Sequence, residues 1–203
     1  FRTDSLFDRI ARAVCRAGTL PRKELHEAWE TARRIRRHFR GGRVVDLACG
    51  HGLMAHIMLL LDNSSPEALA VDTDIPPNAG VLSESILASW PRLESRVLYK
   101  NENLSNIEVN PNDLVVSVHA CGSITDQVLE RAVKAGARVA VLPCCHDAKQ
   151  CDTLGLEAWM DVSLAIDTAR VLYLRQNGYR TLTKTIPFDI TPKNRLLMGE
   201  PLS

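Results

Sequence analysis

Aromatic residues are scarce in this chain. Three Trp, three Tyr and four Phe make up 5% of its 203 residues, so any core must be mostly aliphatic. Long apolar runs are missing too. The stretch Leu53 to Leu61 is interrupted by His56 and is far too short to span a bilayer, so no membrane association is expected. No secretory signal is visible, and because the chain opens on Phe1 a trimmed start is expected. None of the six cysteines (Cys15, Cys49, Cys121, Cys144, Cys145 and Cys151) forms a C-x-x-C pair, and the adjacent Cys144 and Cys145 are poorly placed for a loop-closing disulfide. That usage suggests a reducing compartment, hence the cytoplasm. Repeats and low-complexity tracts are absent. With 45% hydrophobic and 24% charged residues, bulk disorder, collagen-like sequence and a disulfide miniprotein are all excluded. The length fits one domain with a small appendage.

The net charge of +1 conceals a division. Residues 1–43 hold 12 Lys/Arg against 5 Asp/Glu, whereas residues 44–203 hold 13 against 19. A basic arm beside an acidic body is one way to present a face to a polyanion such as RNA. The run Arg33-Arg34-Ile35-Arg36-Arg37-His38-Phe39-Arg40 could contact phosphates. It could equally be a solvated helix face whose cations complement the helix C-terminal dipole.

Apolar spacing predicts a helix over residues 4–18 and a second over 22–39, the latter ended by Gly41-Gly42. These form an N-terminal helical extension, residues 1–42. From residue 43 the rhythm changes to short, continuously apolar strands alternating with helices. Strands are expected at Val44–Ala48, Ala68–Val71, Arg96–Tyr99, Asp113–Val118 and Val139–Leu142. Helices are expected at Leu53–Leu61, from Pro76 to about Trp90, at Asp126–Ala135 and over 157–176. Such alternation means a parallel sheet covered on both faces. Two strand-like runs, Tyr179–Ile186 and Arg195–Met198, close the chain with no room for a crossover helix, so an antiparallel hairpin is expected at the sheet edge. The outline resembles an α/β, Rossmann-like, seven-stranded class I methyltransferase sheet over residues 43–203.

The strongest motif is Asp46-Leu47-Ala48-Cys49-Gly50-His51-Gly52. The chain must turn sharply from strand into helix there, and glycine lets a ligand approach the backbone. In doubly wound sheets ligands sit beyond the carboxyl ends of the strands, near the point where strand order reverses. The run resembles the D/E-x-G-x-G-x-G signature of S-adenosylmethionine (SAM)-dependent methyltransferases, departing from it at Ala48. The G-x-G-x-x-G of nucleotide redox enzymes is absent. The resemblance implies SAM as cofactor, held by Asp46, Ala48, Cys49, Gly50 and Gly52. Asp72 ends the second strand where a carboxylate suits a ribose diol; Asp74 competes for that role and better suits a helix N-cap. Asn101, Glu102 and Asn103, past the third strand, are candidates for the adenine amino group.

The segment Ser117-Val118-His119-Ala120-Cys121-Gly122-Ser123-Ile124-Thr125-Asp126 leaves the fourth strand, with Asp126 expected to start a helix and Thr125 to cap it. Pro143-Cys144-Cys145-His146-Asp147 leaves the fifth. Neighbouring strands would gather His119, Cys121, Cys144, Cys145 and His146 over the sulfonium. The pattern H-x-C-G-x-x-T-D followed by P-C-C-H resembles a methyltransferase-domain family. That family includes the eukaryotic tRNA acceptor-stem 2′-O-methyltransferase, the methyltransferase-like protein 25 group and the C-terminal domain of a glutathione-transferase-like protein. The likeness spans roughly residues 40–150, and Ile190 to Asn194 matches the same group. It implies a SAM-binding fold and, by analogy, RNA, including tRNA, as substrate.

Several roles for the His/Cys cluster stay open. His119 could act as general base, with Cys144, Cys145 and His146 completing the catalytic set; His119 would also border the cofactor. The cysteines could be small packed residues, or one could attack a pyrimidine ring. Their spacing matches no standard zinc pattern, so no metal is assigned. A D/N-P-P-Y run is absent, and no Lys-Asp-Lys-Glu tetrad is evident. Asp167 and Arg170, at i and i+3, should form a surface ion pair. The expected function is SAM-dependent methyl transfer to RNA. Transfer to a small molecule or protein, and a non-catalytic SAM- or RNA-binding module, are the alternatives.

Overall fold

Val44–Leu47 (β1) lies at the centre of the molecule, buried at every residue. It pairs in parallel with Ala68–Asp72 (β2) on one side and Leu114–Val118 (β4) on the other. The computed structural model describes residues 3–202. Val97–Asn101 (β3) extends the sheet beyond β2, and Arg138–Leu142 (β5) extends it beyond β4, again in parallel. Arg195–Pro201 (β7) then pairs antiparallel with β5, and Tyr179–Thr185 (β6) with β7. The order is β3-β2-β1-β4-β5-β7-β6. The expected hairpin is present, with the later strand inside it and β6 at the edge.

Strand period two divides the core. Val44, Ala68, Ala70, Leu114, Val116, Ala140 and Leu142 face one side, against Leu6–Ala17 (α1), Arg22–Arg36 (α2), Leu53–Leu61 (α3) and Ala79–Leu87 (α4). Val45, Leu47, Val71, Val115, Val139 and Val141 face the other, against Ser123–Ala135 (α5) and Val162–Gln176 (α6). Each wholly buried aliphatic side chain contributes about 1.5–3 kcal/mol. That is how a chain poor in aromatics fills its core. The two N-terminal helices share the larger core with the sheet: Ile10, Val14, Leu25, Ala32 and Ile35 are all buried in it. Ser5 caps α1 by accepting from the Asp8 amide at 3.2 Å, and Gly18, at φ 64°, ends it.

Several boundaries differ from expectation, each for a local reason. The helix expected from Pro76 begins only at Ala79, after a turn closed by Ala79 N–H to Pro76 O. Asp74 is therefore too early to be its cap. Residues 157–161 are not helical; Asp161 caps α6 by accepting from Ser163 and Leu164, which leaves Trp159 84% exposed. Helix α5 starts three residues early, at Ser123, so Asp126 lies in its first turn and the Thr125 hydroxyl donates to Ala120 O at 2.7 Å instead of capping. Among the described residues no helix is long and apolar enough to cross a membrane.

The arginine run is only partly a solvated face. Arg36 is 3% exposed and bonds Asp62 (3.1 Å), Met58 O (3.1 Å) and Ser65 Oγ (2.8 Å). Arg33 and Arg34 both pair with Glu30, and Arg34 also donates to Thr185 O. Arg37, His38 and Arg40 remain exposed. Nor is Asp167–Arg170 a surface pair: Arg170 is buried and bonds Asp126, Asp167 and Gly122 O.

Candidate active site

The turn between β1 and α3 needs left-handed backbone three times within five residues: Ala48 at φ 56°, Gly50 at 51° and Gly52 at 73°. A Cβ added to Gly50 would meet nothing within 4 Å, so this backbone faces open space. A Cβ on Gly52 would lie 2.7 Å from the Tyr99 hydroxyl. Tyr99, which donates to His51 O at 2.9 Å, is the strut behind the turn. Asp46, 1% exposed, accepts from the Ala55 amide at 3.1 Å and so ties the start of α3 to β1. Burial pushes its carboxyl up to about 7, with Asp72 nearby adding to the rise. Asp72 accepts from the Gly50 amide at 2.9 Å and the Asp74 amide at 3.3 Å. Each of its oxygens keeps a lone pair for a further donor. Burial pushes the Cys49 thiol up, so it is a neutral packing group.

A cavity of about 660 Å³ opens where strand order reverses, between the carboxyl ends of β1 and β4. Asp46, Ala48, Cys49, Gly50 and Asp72 line one part of it, and His119, Cys121 and Cys144 another. Leu20, Lys23, Glu24, Glu27 and Ala28, from the entry and first half of α2, also line it. A neighbouring recess of about 220 Å³ shares Ala48 and Asp72 and adds Glu102 and Asn103. Gly52 is on neither wall. Asn101 sits inside β3, where its Oδ1 accepts from the Ile75 amide. Glu102 accepts from the Asn103 amide and Asn106 Nδ2, and Asn103 caps the short helical turn that follows.

His119 leaves β4 at φ 70° and presents Nε2 to Glu27 Oε2 at 2.9 Å. Glu27 is wholly buried, and Lys23 Nζ lies 2.8 Å from its other oxygen. Neither contact has the alignment of a hydrogen bond to the carboxylate. Burial alone would raise the Glu27 carboxyl, but His119 and Lys23 more than offset it and hold it below the ordinary range. Glu27 is the site residue that sequence reasoning missed. Its only signal was a carboxylate amid the apolar positions Leu25, Ala28, Ala32 and Ile35.

The structure separates the remaining candidates. Cys121 Sγ lies 3.4 Å from both Cys144 Sγ and Cys145 Sγ, which are 3.5 Å apart. Cys121 and Cys144 face the cavity, whereas Cys145 is exposed behind them. Burial and the neighbouring thiols push the Cys144 thiol up, and burial raises Cys121 as well. That is the wrong direction for a thiolate nucleophile. His146 is not brought to the cavity. Its side chain is 3% exposed, and Nε2 bonds Asp167 Oδ1 at 2.8 Å, fixing the end of β5 to α6.

A doubly wound sheet with a glycine turn at its switch point, an acid ending the next strand and a cavity between them is an architecture that SAM-dependent methyltransferases share. The chain belongs to the family described as "Methyltransferase domain", whose model matches residues 23–152. It is 27% identical to the glutathione S-transferase C-terminal domain-containing protein homolog of Drosophila melanogaster, over 78% of this chain and 33% of that protein. The chain thus spans about a third of the length of the curated relatives it matches. Among solved structures it resembles a candidate RNA methyltransferase from Pyrococcus horikoshii (TM-score 0.57, 15% identity, covering 96% of this chain and 100% of that one). It also resembles the SAM-dependent methyltransferase SibL (TM-score 0.56, 17% identity, covering 100% and 64%). At these identities the likeness is one of fold. The chain carries a methyltransferase domain, and its site fits SAM as cofactor. The open face of Gly50 and the unfilled acceptor capacity of Asp72 suit that molecule's backbone contact and ribose.

Proposed function

We propose that this methyltransferase acts on RNA, with His119 as the general base at the acceptor and Glu27 as its positioning residue. The observation that carries the base assignment is the His119–Glu27 pair on the wall of the cavity that also holds Asp46, Gly50 and Asp72. SAM supplies an electrophilic methyl group, and transfer then depends chiefly on holding the acceptor in line. Gly50 would offer backbone approach, Asp72 would take the ribose hydroxyls, and Glu102 and Asn103 would border the adenine in the adjoining recess. Glu27 lies against Nε2 of the His119 ring, which leaves Nδ1 to receive the acceptor's proton. Glu27 also offsets the imidazolium charge that results. Cys144 and Cys145 have no proton-transfer role in this reading.

RNA is favoured by the basic balance of residues 1–43 and by exposed Arg37, His38 and Arg40. These residues follow the far end of α2, a helix of about 20 Å whose first half lines the cavity, so a polyanion would have to cross the molecule. That placement favours a second reading, transfer to a small molecule or protein. Labelled SAM and the purified chain, supplied together to an extract lacking this protein, separate the two. The RNA reading expects ribonuclease-sensitive label in RNA that disappears with His119→Ala. Label confined to the protein or small-molecule fraction overturns it.

A further inference from the structure

Three thiols converge at the ends of β4 and β5, and burial in a core does not explain them. Free cysteine packs well as a small apolar residue, and Cys151 does so here. Cys121 and Cys145, by contrast, are exposed and Cys144 is only half-buried. Yet their three Sγ atoms lie 3.4–3.5 Å apart. Two loops are pinned to bring this about. The His119 amide donates to Leu142 O at 3.1 Å and the Gly122 amide to Cys145 O at 3.3 Å, so the strand ends are fixed before any ligand binds. His119 O lies 3.5 Å from Cys121 Sγ and 3.6 Å from Cys144 Sγ.

We propose that Cys121, Cys144 and Cys145 form a three-thiolate site for a soft divalent metal ion, with zinc as its representative. At Zn–S bonds of about 2.3 Å a tetrahedral ion sets its sulfurs ~3.8 Å apart, a few tenths of an ångström from the spacing found. Binding converts three S–H groups to thiolates and releases three protons to solvent. Three protein ligands leave the fourth position open, the arrangement of reactive rather than purely structural zinc. Cys121 and Cys144 line the cavity, so the ion would sit at its wall. Sequence spacing hides the site because one ligand leaves β4 and two adjacent ones leave β5. Only strand pairing brings them together. The inference does not depend on which acceptor is methylated.

The test is metal content of the intact chain, purified under reducing conditions, loaded with zinc and dialysed. The expected result is about one equivalent of retained zinc per chain. It should be lost in Cys121→Ser and Cys145→Ser, whose exposed positions tolerate the change, and kept in Cys15→Ser. Cobalt in place of zinc should give thiolate-to-metal charge transfer and tetrahedral ligand-field bands that vanish in the same variants. Circular dichroism checks that each variant is folded. Zinc content no higher in the wild type than in folded Cys121→Ser overturns the proposal, as does binding that persists in both variants. A Cys121 disulfide to either neighbour that keeps zinc out under these conditions overturns it too.

Discussion

His119 Nε2 lies 2.9 Å from Glu27 Oε2, which joins the tip of a central strand to a helix that precedes the whole sheet. The pair puts a carboxylate with no solvent exposure beside an imidazole that is about a third exposed on the cavity wall. His119→Ala should lower turnover by about 10²-fold, the usual scale for one acid–base group, with SAM affinity unchanged by calorimetry. Glu27→Gln keeps the shape and removes the charge. It should lower kcat with little change in the KM for SAM and alter the pH–rate profile. An unaltered profile would reduce Glu27 to packing.

Asp46 gives a pH dependence of stability. Its buried carboxyl titrates near 7, well above the ordinary carboxylate range. A raised carboxyl favours the folded state while neutral. Its contribution is full below about pH 4 and is lost as pH rises through 7. Asp46→Asn, which retains an acceptor for the Ala55 amide, should therefore gain stability over wild type between pH 4 and pH 8. The expected gain is on the order of a few kcal/mol, read from denaturant unfolding at several pH values. His56 works in the opposite sense. Burial lowers its ring to about 4, so its contribution is present above 6.5 and lost on acidification; it cancels in the comparison of the two chains.

Gly50 and Gly52 should separate by phenotype. Both have positive φ, so alanine costs about 1–2 kcal/mol of backbone strain at either site. At Gly52 the added methyl also collides with Tyr99, and a fall in melting temperature should dominate. At Gly50 it enters open space on the cavity wall, so SAM affinity should fall more than stability does.

Arg36 and its exposed neighbours should also differ. Removing Arg36 takes from buried Asp62 its buried cation and leaves only exposed Arg40, 3.5 Å away; the Asp62 carboxyl is held down at about 2. Burial would raise it, but hydrogen bonds from Gly41 and Ser64 and the charge of Arg36 outweigh that effect. Arg36→Ala should cost about 3–5 kcal/mol in an unfolding experiment. The double variant Arg37→Ala, Arg40→Ala removes the exposed Arg40 contact to Asp62 and should cost no more than about 1 kcal/mol. If RNA is the acceptor, it should flatten the salt dependence of RNA binding by about 0.7 per lost phosphate contact.

Period and punctuation made the sheet readable in advance. Apolar runs of four or five residues, bounded by glycine or aspartate, encode β1, β2, β4 and β5 because a strand buried on both faces has no polar face to alternate. The glycine turn was equally legible, since its backbone conformations are those that glycine tolerates. Helix starts were less so. Asp161 caps α6 through a local hydrogen bond that competes with an earlier start, and Pro76-Pro77 could not show where regular turns begin.

Residues 43–52 by themselves determined the left-handed turn at the carboxyl end of β1, because steric limits on φ act within a few bonds. Only the tertiary structure decided which side chains share the cavity. Glu27 meets His119 because α2, packed on α3, brings its first half to the carboxyl ends of the strands. Cys121 meets Cys144 and Cys145 because β4 and β5 pair. His146 leaves the site because Asp167 on α6 offers it a buried partner. Such meetings depend on how surfaces far apart in the chain fit together, and no local pattern in the sequence carries that fit.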